Sequence, residues 1–128
     1  MFLRFVIPSR DPDSGKRQGV FQALADLSYE QRLTPAEEIL YNELRRWFNE
    51  HLERPDRFSR SSRHNSKNVA ISWFKDSATT HISKMREMAA ILNAHDVTVE
   101  VIQTERPGYI VYEDRYQVCA EPFRETDS

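Results

Sequence analysis

Residues 34–37, Thr-Pro-Ala-Glu, constrain the fold more than any other part of this sequence. They place a hydroxyl at a helix N-cap, a proline at the first helical position and a glutamate at the third, which is the pattern of a capping box. Behind them, one apolar stripe recurs at helical spacing: Ala36, Leu40, Leu44, Trp47, Phe48 and Leu52. The pattern predicts an amphipathic helix over residues 35–52 that ends before Pro55.

The segments on either side of this helix predict further elements. Residues 2–7 are a β-rich apolar run ended by Pro8, so we expect a strand there, followed by a loop over 9–18 and a short helix over 18–27. Alternation over residues 69–73 predicts a short strand. A third helix should be capped by Asp76 or Ser77, end near residue 93 or 94, and point these side chains inward: Ala78, Ile82, Met85, Ala89 and Leu92.

The last third of the chain reads as a meander of three strands. Val97, Val99 and Val101 alternate with polar or outward residues, and Pro107-Gly108 fits the centre of a type II turn. Strands over 109–112 and 116–120 follow, joined by a reversal at 113–115. The element order is β-α-α-(β)-α-β-β-β. This order predicts one α+β domain over residues 1–122, in which about three helices pack on one face of a mixed or antiparallel sheet. The tail over 123–128 is expected to be frayed.

Composition excludes several classes of protein. The apolar runs are far shorter than the roughly 20 residues needed to span a bilayer, and no signal-peptide pattern is present. The single cysteine, Cys119, allows no internal disulfide, so we expect a cytoplasmic protein. Three scattered glycines form no phosphate-binding loop, and the four histidines have no metal-ligand spacing. We therefore expect no metal, no cofactor and no membrane partner.

Residues 54–67 differ in composition from everything around them. They hold five cationic side chains and one acidic one, a net charge of +4, whereas the whole chain carries −2. With Phe58 as the one large apolar side chain, the segment is expected to be an exposed loop of little regular structure. Such a local excess of cations attracts anions, although a solvated loop without a partner has the same composition. The candidate anion-binding residues in it are Arg57, Arg60, Arg63 and Lys67.

The start of the third helix adds two candidates for the same site. Lys75 and Ser77 lie beside a helix N-terminus, whose unpaired N–H groups attract anions, although Asp76 as an N-cap would satisfy those donors itself. Phe58 and Phe74 are candidate rings for stacking on bases. Strand alternation with Trp73 would leave one of Trp73 and Phe74 exposed, and burial of both is the commoner outcome. The pI near 6 argues against a dedicated DNA-binding protein.

Catalytic residues are not indicated, so none is assigned. His81 is the best-placed histidine for acid–base chemistry, but a core or helix-surface histidine is the commoner outcome. Glu113 and Asp114 are ordinary residues for a solvent-exposed reversal, and Cys119 in a strand reads as a small buried side chain.

The sequence favours a non-catalytic binding module whose anionic partner carries phosphate or is a nucleic acid. The segment 54–67 would supply the contacts, with help from Lys75 and Ser77. Two alternatives stay open: a protein–protein regulator or inhibitor that binds an acidic protein surface, and a small enzyme acting on a phosphorylated or nucleotide ligand with His81 as acid or base.

Overall fold

The described part of the chain forms six strands and three helices. The computed structural model describes residues 1–10, 17–54 and 70–123. In chain order, the elements are β1 (Phe2–Arg10), β2 (Arg17–Gly19), α1 (Val20–Tyr29), α2 (Pro35–His51), β3 (Ile71–Lys75), α3 (Thr79–Ala94), β4 (Glu100–Thr104), β5 (Tyr109–Glu113) and β6 (Gln117–Glu121). The predicted α+β class is confirmed, and every strand pair is antiparallel.

The sheet is organised around β1. One edge of β1 pairs with β4 over residues 2–6, and the opposite edge pairs first with β3 and then with β2. The two edges follow from the register, because Val6 faces both Gly19 of β2 and Glu100 of β4. Beyond β3 the sheet continues through β6 to β5. Three strands, β2, β4 and β5, each pair with a single neighbour and form the edges of the sheet.

Two groups of buried side chains hold these layers together. The helix-side core joins all three helices to one face of the sheet through Phe5, Ile7 and Phe74. The strand-side core contains only strand residues, with Trp73 at its centre between Ile71 and Val118. Trp73 is 1% exposed and Phe74 is 9% exposed. At residues 73 and 74, both faces of β3 are thus buried, which is why alternation exposes neither ring.

The capping box at the start of α2 is present as predicted. Thr34 accepts a hydrogen bond from the Glu37 amide at 3.2 Å, and the Thr34 amide donates to Glu37 Oε1 at 2.8 Å. The same Glu37 oxygen contacts Nε2 of His95, at the end of α3, at 2.8 Å. Hydrogen bonds from Thr34 and then from His95 lower the pKa of Glu37. The N-terminus of α2 is therefore attached to the C-terminus of α3.

Strand β1 differs from its prediction because it continues through Pro8 to Arg10. Residues 17–19 form a strand where the end of a loop and the start of a helix were predicted, and α1 runs over Val20–Tyr29 rather than 18–27. Pro8 is exposed and lies beyond Val6, the last β1 residue paired with β4. The pairing with β2 is irregular between Val6 and Arg10. A proline is tolerated at such an irregular, partly unpaired position because no regular ladder there requires its missing N–H.

Two local predictions were wrong. The N-cap of α3 is Ala78, without a side-chain bond, because Asp76 and Ser77 form the turn that follows β3. The predicted alternation of valines holds for Val97 and Val99, which pack against the helix-side core, but Val101 in β4 is 37% exposed, while Ile102 packs against the strand-side core. Val101 pairs with the buried Phe5 on the helix side of the sheet, and it is exposed on β4, which pairs with β1 alone and is therefore an edge strand.

Several predictions fall on residues that the structure does not describe. These are the exposure of residues 57–67, the first residue of the predicted strand 69–73, and the tail from 124 onwards. Phe123 is described, and the Arg106 guanidinium lies 5.2 Å from the centre of its ring. None of the helices in the described ranges combines the length and apolarity required for a membrane span.

We predict that Gly108→Ala destabilises the protein strongly and that Gly19→Ala does not. Gly108 has a φ of +138°, and an added Cβ would collide with the carbonyl oxygen of Glu121, whereas Gly19 has an ordinary φ and open space around its Cα. The first change should cost roughly 2 kcal/mol or more and the second less than about 1 kcal/mol. Urea unfolding of the two variants measures the difference, and equal losses would contradict the turn geometry.

Candidate ligand-binding cleft

The sheet splits where β1 leaves β3. Pairing between these strands stops at Leu3 and Phe74, and pairing on the same edge resumes with β2 at Val6 and Gly19. If the register had continued, Arg4 would have faced Trp73. The interruption instead separates the strands and leaves an opening bordered by β1, β2 and β3.

A cleft of about 830 Å³ lies at this opening. Its walls come from the split strands, the first turn of α1, one side of α2 and the chain that leaves α2. Four phenylalanine rings supply much of the apolar lining: Phe5, Phe21, Phe48 and Phe74. The volume lies within the range of roughly 300–1,000 Å³ that is typical of small-molecule sites.

The charged side chains of the cleft are mostly cationic. Arg4, Arg45 and Arg54 line it, and the only described acidic residue among the lining residues is Glu53. Arg4 donates from a guanidinium nitrogen to the Arg17 carbonyl at 3.1 Å, which holds it beside β2. Arg45 lies over the Tyr41 ring at 5.6 Å. This excess of cations contrasts with the chain's net charge of −2.

Gln117 fixes the chain at the exit of α2. Its side chain is 3% exposed. Nε2 donates to the Glu53 carbonyl at 2.7 Å and to Asp114 Oδ2 at 3.0 Å. This bond attaches the backbone at Glu53 to β6. The next residue, Arg54, lines the cleft.

The N-terminus of α1 also faces the cleft. Residues Gly19, Val20, Phe21 and Gln22 line it, Gly19 is the N-cap without a side-chain bond, and no acidic residue lies in the first turn. The nearest carboxylate on the helix, Asp26, accepts from the side chains of Gln18 and Gln22 at 3.0 and 2.9 Å. The partial positive charge of this helix end is therefore not compensated by a local side chain.

Trp73 contributes a polar atom without a protein partner. It lines the cleft, and its Nε1 is buried with no hydrogen-bond partner in the described part of the chain. A buried donor left in this state typically costs about 1–3 kcal/mol, so native structures rarely retain one without a reason.

The sequence-predicted anion-binding residues are only partly described. Arg57, Arg60, Arg63, Lys67 and the candidate stacking ring Phe58 all lie outside the described residues.

The remaining three candidates are described, and of these only Phe74 lines the cleft. Lys75 forms an ion pair with Glu113, with Nζ and Oε2 2.6 Å apart, and it does not line the cleft. Ser77 is exposed in the turn before α3. Phe74 is buried in the helix-side core and contributes to the cleft wall.

His81 lies in the core, the commoner of the two outcomes weighed above. Its side chain is 4% exposed, and Nε2 donates to the His51 carbonyl at 2.8 Å. Its ring also packs within 4.3 Å of Tyr116 and 4.7 Å of Trp47, measured between ring centres. These contacts explain His81 as a structural residue that joins α2, α3 and the turn before β6.

Cys119 is buried as expected, and its Sγ lies 3.0 Å from the Ser72 hydroxyl oxygen. Burial raises the pKa of the Cys119 thiol, which disfavours the nucleophilic thiolate. The described ranges also contain no group of three or more His, Cys, Asp or Glu residues able to hold a metal ion.

Sequence reasoning singled out Phe74 and the segment that begins at Arg54, but it missed the other residues that form the cleft. Arg4 was read only as part of a strand and Arg45 only as part of a helix surface, and their convergence depends on the split sheet. One local signal was available for Gly19. A glycine directly before an apolar helical pattern, with no acidic residue in the first turn, indicates a helix without a side-chain cap.

Comparison with known proteins does not extend this description. No protein-family model, curated protein or solved structure matches the chain.

Asp114 offers a test of the turn beside the cleft. Burial acts to raise its pKa, but hydrogen bonds from Tyr116, Gln117 and Tyr112 outweigh burial, and the pKa is lowered. The carboxylate therefore stabilises the folded state above its unfolded pKa of about 4, and this contribution disappears as the pH falls through the folded value.

We predict that Asp114→Asn lowers the free energy of unfolding at pH 7 by about 1 kcal/mol or more, because the new amide cannot accept the bonds made by Oδ2. The loss should shrink as the pH is lowered below 4. Urea unfolding from pH 7 to pH 2.5 measures this, with the exposed Glu43→Gln on α2 as a control for charge. A loss that is independent of pH would contradict a stabilising carboxylate.

Proposed function

We propose that this protein is a non-catalytic binding protein for an anionic ligand, and that the ligand occupies the cleft at the split in the sheet. The observation that carries the proposal is the convergence of Arg4, Arg45 and Arg54 on one cleft in a chain of net negative charge. Guanidinium groups bind phosphate and carboxylate strongly because their N–H donors match two oxygens at once.

Two of these arginines are available for a ligand. Arg45 and Arg54 are exposed, and neither forms an ion pair with a carboxylate in the described ranges. Arg4 is half-buried and held against β2, so it would act as a fixed charge at the inner end of the cleft. A site with one fixed and two adaptable cations favours a ligand with more than one negative charge.

The basic segment 54–67 begins at this cleft, because Arg54 is its first residue. The four cations that follow in sequence, Arg57, Arg60, Arg63 and Lys67, belong to the proposal as a sequence-based prediction. They would extend the contact to a longer anion such as a nucleic acid. Phosphate-bearing ligands of this kind fit a cytoplasmic location, which is also part of the proposal.

We predict that the double variant Arg45→Gln, Arg54→Gln weakens binding of a fluorescent single-stranded oligonucleotide at least tenfold, measured by anisotropy at low salt. Each lost phosphate contact should reduce the slope of log affinity against log salt by about 0.7. Arg32→Gln, Arg46→Gln is the matched control, because it removes the same charge from exposed positions that do not line the cleft.

A second variant, with glutamine at 57, 60, 63 and 67, distinguishes the contribution of the basic segment to binding from that of the cleft. Binding that depends on the segment but not on Arg45 and Arg54 would place the contact outside the cleft. If the cleft variant and the matched control lose affinity equally, the loss comes from the lower net charge and not from contacts in the cleft. If the parent binds neither oligonucleotides, heparin nor mononucleotides at low salt, the anion proposal is wrong, and an acidic protein surface becomes the better candidate partner.

A further inference from the structure

We propose that the cleft binds a single-stranded nucleic acid and that Phe21 is the ring on which one of its unpaired bases stacks. This inference rests on the proposed function, because it names the anion and adds a contact that a phosphate group cannot make. Three observations carry it. Phe21 is an exposed ring in the cleft, Phe48 holds that ring in place, and the cleft side of α2 presents Arg45 and no carboxylate.

Phe21 is an aromatic side chain that the fold leaves partly in solvent. It lies in the first turn of α1, is 39% exposed and lines the cleft. The other large apolar side chains that are exposed in the described ranges, such as Tyr29 on the same helix, do not line it. Single exposed apolar residues are ordinary on a protein surface. Phe21 differs from them because it is exposed beside cationic residues in a concave site.

Phe48 fixes the orientation of the Phe21 ring. The two rings are perpendicular, with an interplanar angle of 89° and centres 5.1 Å apart. Phe48 is itself buried, and it makes a second edge-to-face contact with Trp47 on α2. A perpendicular neighbour covers at most one face of a ring, so Phe21 keeps surface on which a base can stack. Less side-chain entropy is lost on binding because the ring is already held.

Helix α2 separates its charges with respect to the cleft. None of its four glutamates lines the cleft: Glu37, Glu38, Glu43 and Glu50. Arg45 and Asn49 do line it. Arg45 is three residues before Phe48, a spacing that places two side chains on the same face of a helix. Its guanidinium packs 5.6 Å from the centre of the Tyr41 ring and not on a carboxylate. The helix therefore favours a negative group beside the Phe21–Phe48 pair.

The positions of the two available arginines favour a strand over a mononucleotide. Arg54 follows Arg45 by nine residues, and the helical stretch from 45 to 51 alone extends over roughly 9 Å. The chain leaves the helix at Leu52, whose backbone is extended. A strand carries a phosphate at every nucleotide and can contact both arginines, whereas a mononucleotide carries its charge in one place. Stacking on Phe21 also requires a base with a free face, which a duplex does not offer.

The first test compares Phe21→Leu with Tyr29→Leu. The ligand is a fluorescent strand of about ten thymidines, and anisotropy is measured at low salt. Phe21→Leu keeps an apolar side chain but removes the ring, so affinity should fall at least fivefold. Tyr29→Leu removes an exposed ring of the same helix that does not line the cleft, so affinity should stay within about twofold. Phe21→Trp should bind at least as tightly as the parent, which distinguishes lost stacking from impaired folding.

The second test removes the bases and keeps the phosphates. An abasic strand of the same length carries the same charge and should bind the parent at least fivefold more weakly than the thymidine strand. Phe21→Leu should not weaken abasic binding further, because no base is left to stack. Arg45→Gln, Arg54→Gln should still weaken it. A duplex of the same length should bind more weakly than the thymidine strand at equal salt, because its bases stack on one another.

The outcomes separate this inference from the proposed function. If the parent binds thymidine and abasic strands equally, or if Tyr29→Leu costs as much affinity as Phe21→Leu, stacking on Phe21 is wrong. The proposed function then stands as long as the double arginine variant weakens both strands.

The identity of the ligand has its own controls. Thymidine monophosphate that binds as tightly as the strand would overturn the nucleic acid in favour of a mononucleotide, and equal binding of the duplex would overturn the preference for single strands. If the parent binds heparin but no nucleic acid, the inference fails and the proposed function stands. If it binds none of these anions at low salt, both fail.

Discussion

The fold depends on one edge of β1 pairing with two different strands, β3 and β2. Because β3 takes the first two paired positions of that edge and β2 takes the later ones, the sheet must open between them. The same division sets where α1 begins, since β2 leads directly into the helix at Gly19. The cleft, its first-turn amides and its innermost arginine therefore all follow from a single interruption in strand pairing.

The helix layer is held rigidly on the far side of this opening. A set of aromatic rings around His81 joins α2, α3, β3 and the turn before β6. The bond between His95 and Glu37 connects the opposite ends of the same two helices. Gln117 then attaches the chain after α2 to β6. A site built on such a framework can keep its donors in place before a ligand arrives, which reduces the entropy lost on binding.

Trp73 and Phe74 lie on opposite faces of β3, and both are buried. A tryptophan whose ring is required in the strand-side core also brings an indole N–H into a region with no protein acceptor among the described residues. The core gains a large apolar surface, and the donor is left for something else to satisfy.

The sequence by itself determined the elements whose signals are local. The capping box and apolar stripe defined α2, Gly108 was recognised as a position of positive φ, and the alternation of apolar residues yielded the α+β class and most strands. Register and pairing are different, because they depend on which distant strand arrives at each edge. Only the tertiary structure decided that β1 continues past Pro8, that Val101 lies partly exposed on an edge strand, and that His81 is in the core. It alone brought Arg4, Arg45 and Arg54 to one cleft, because residues 41 positions apart on β1 and α2 meet only when the helix packs over the split sheet.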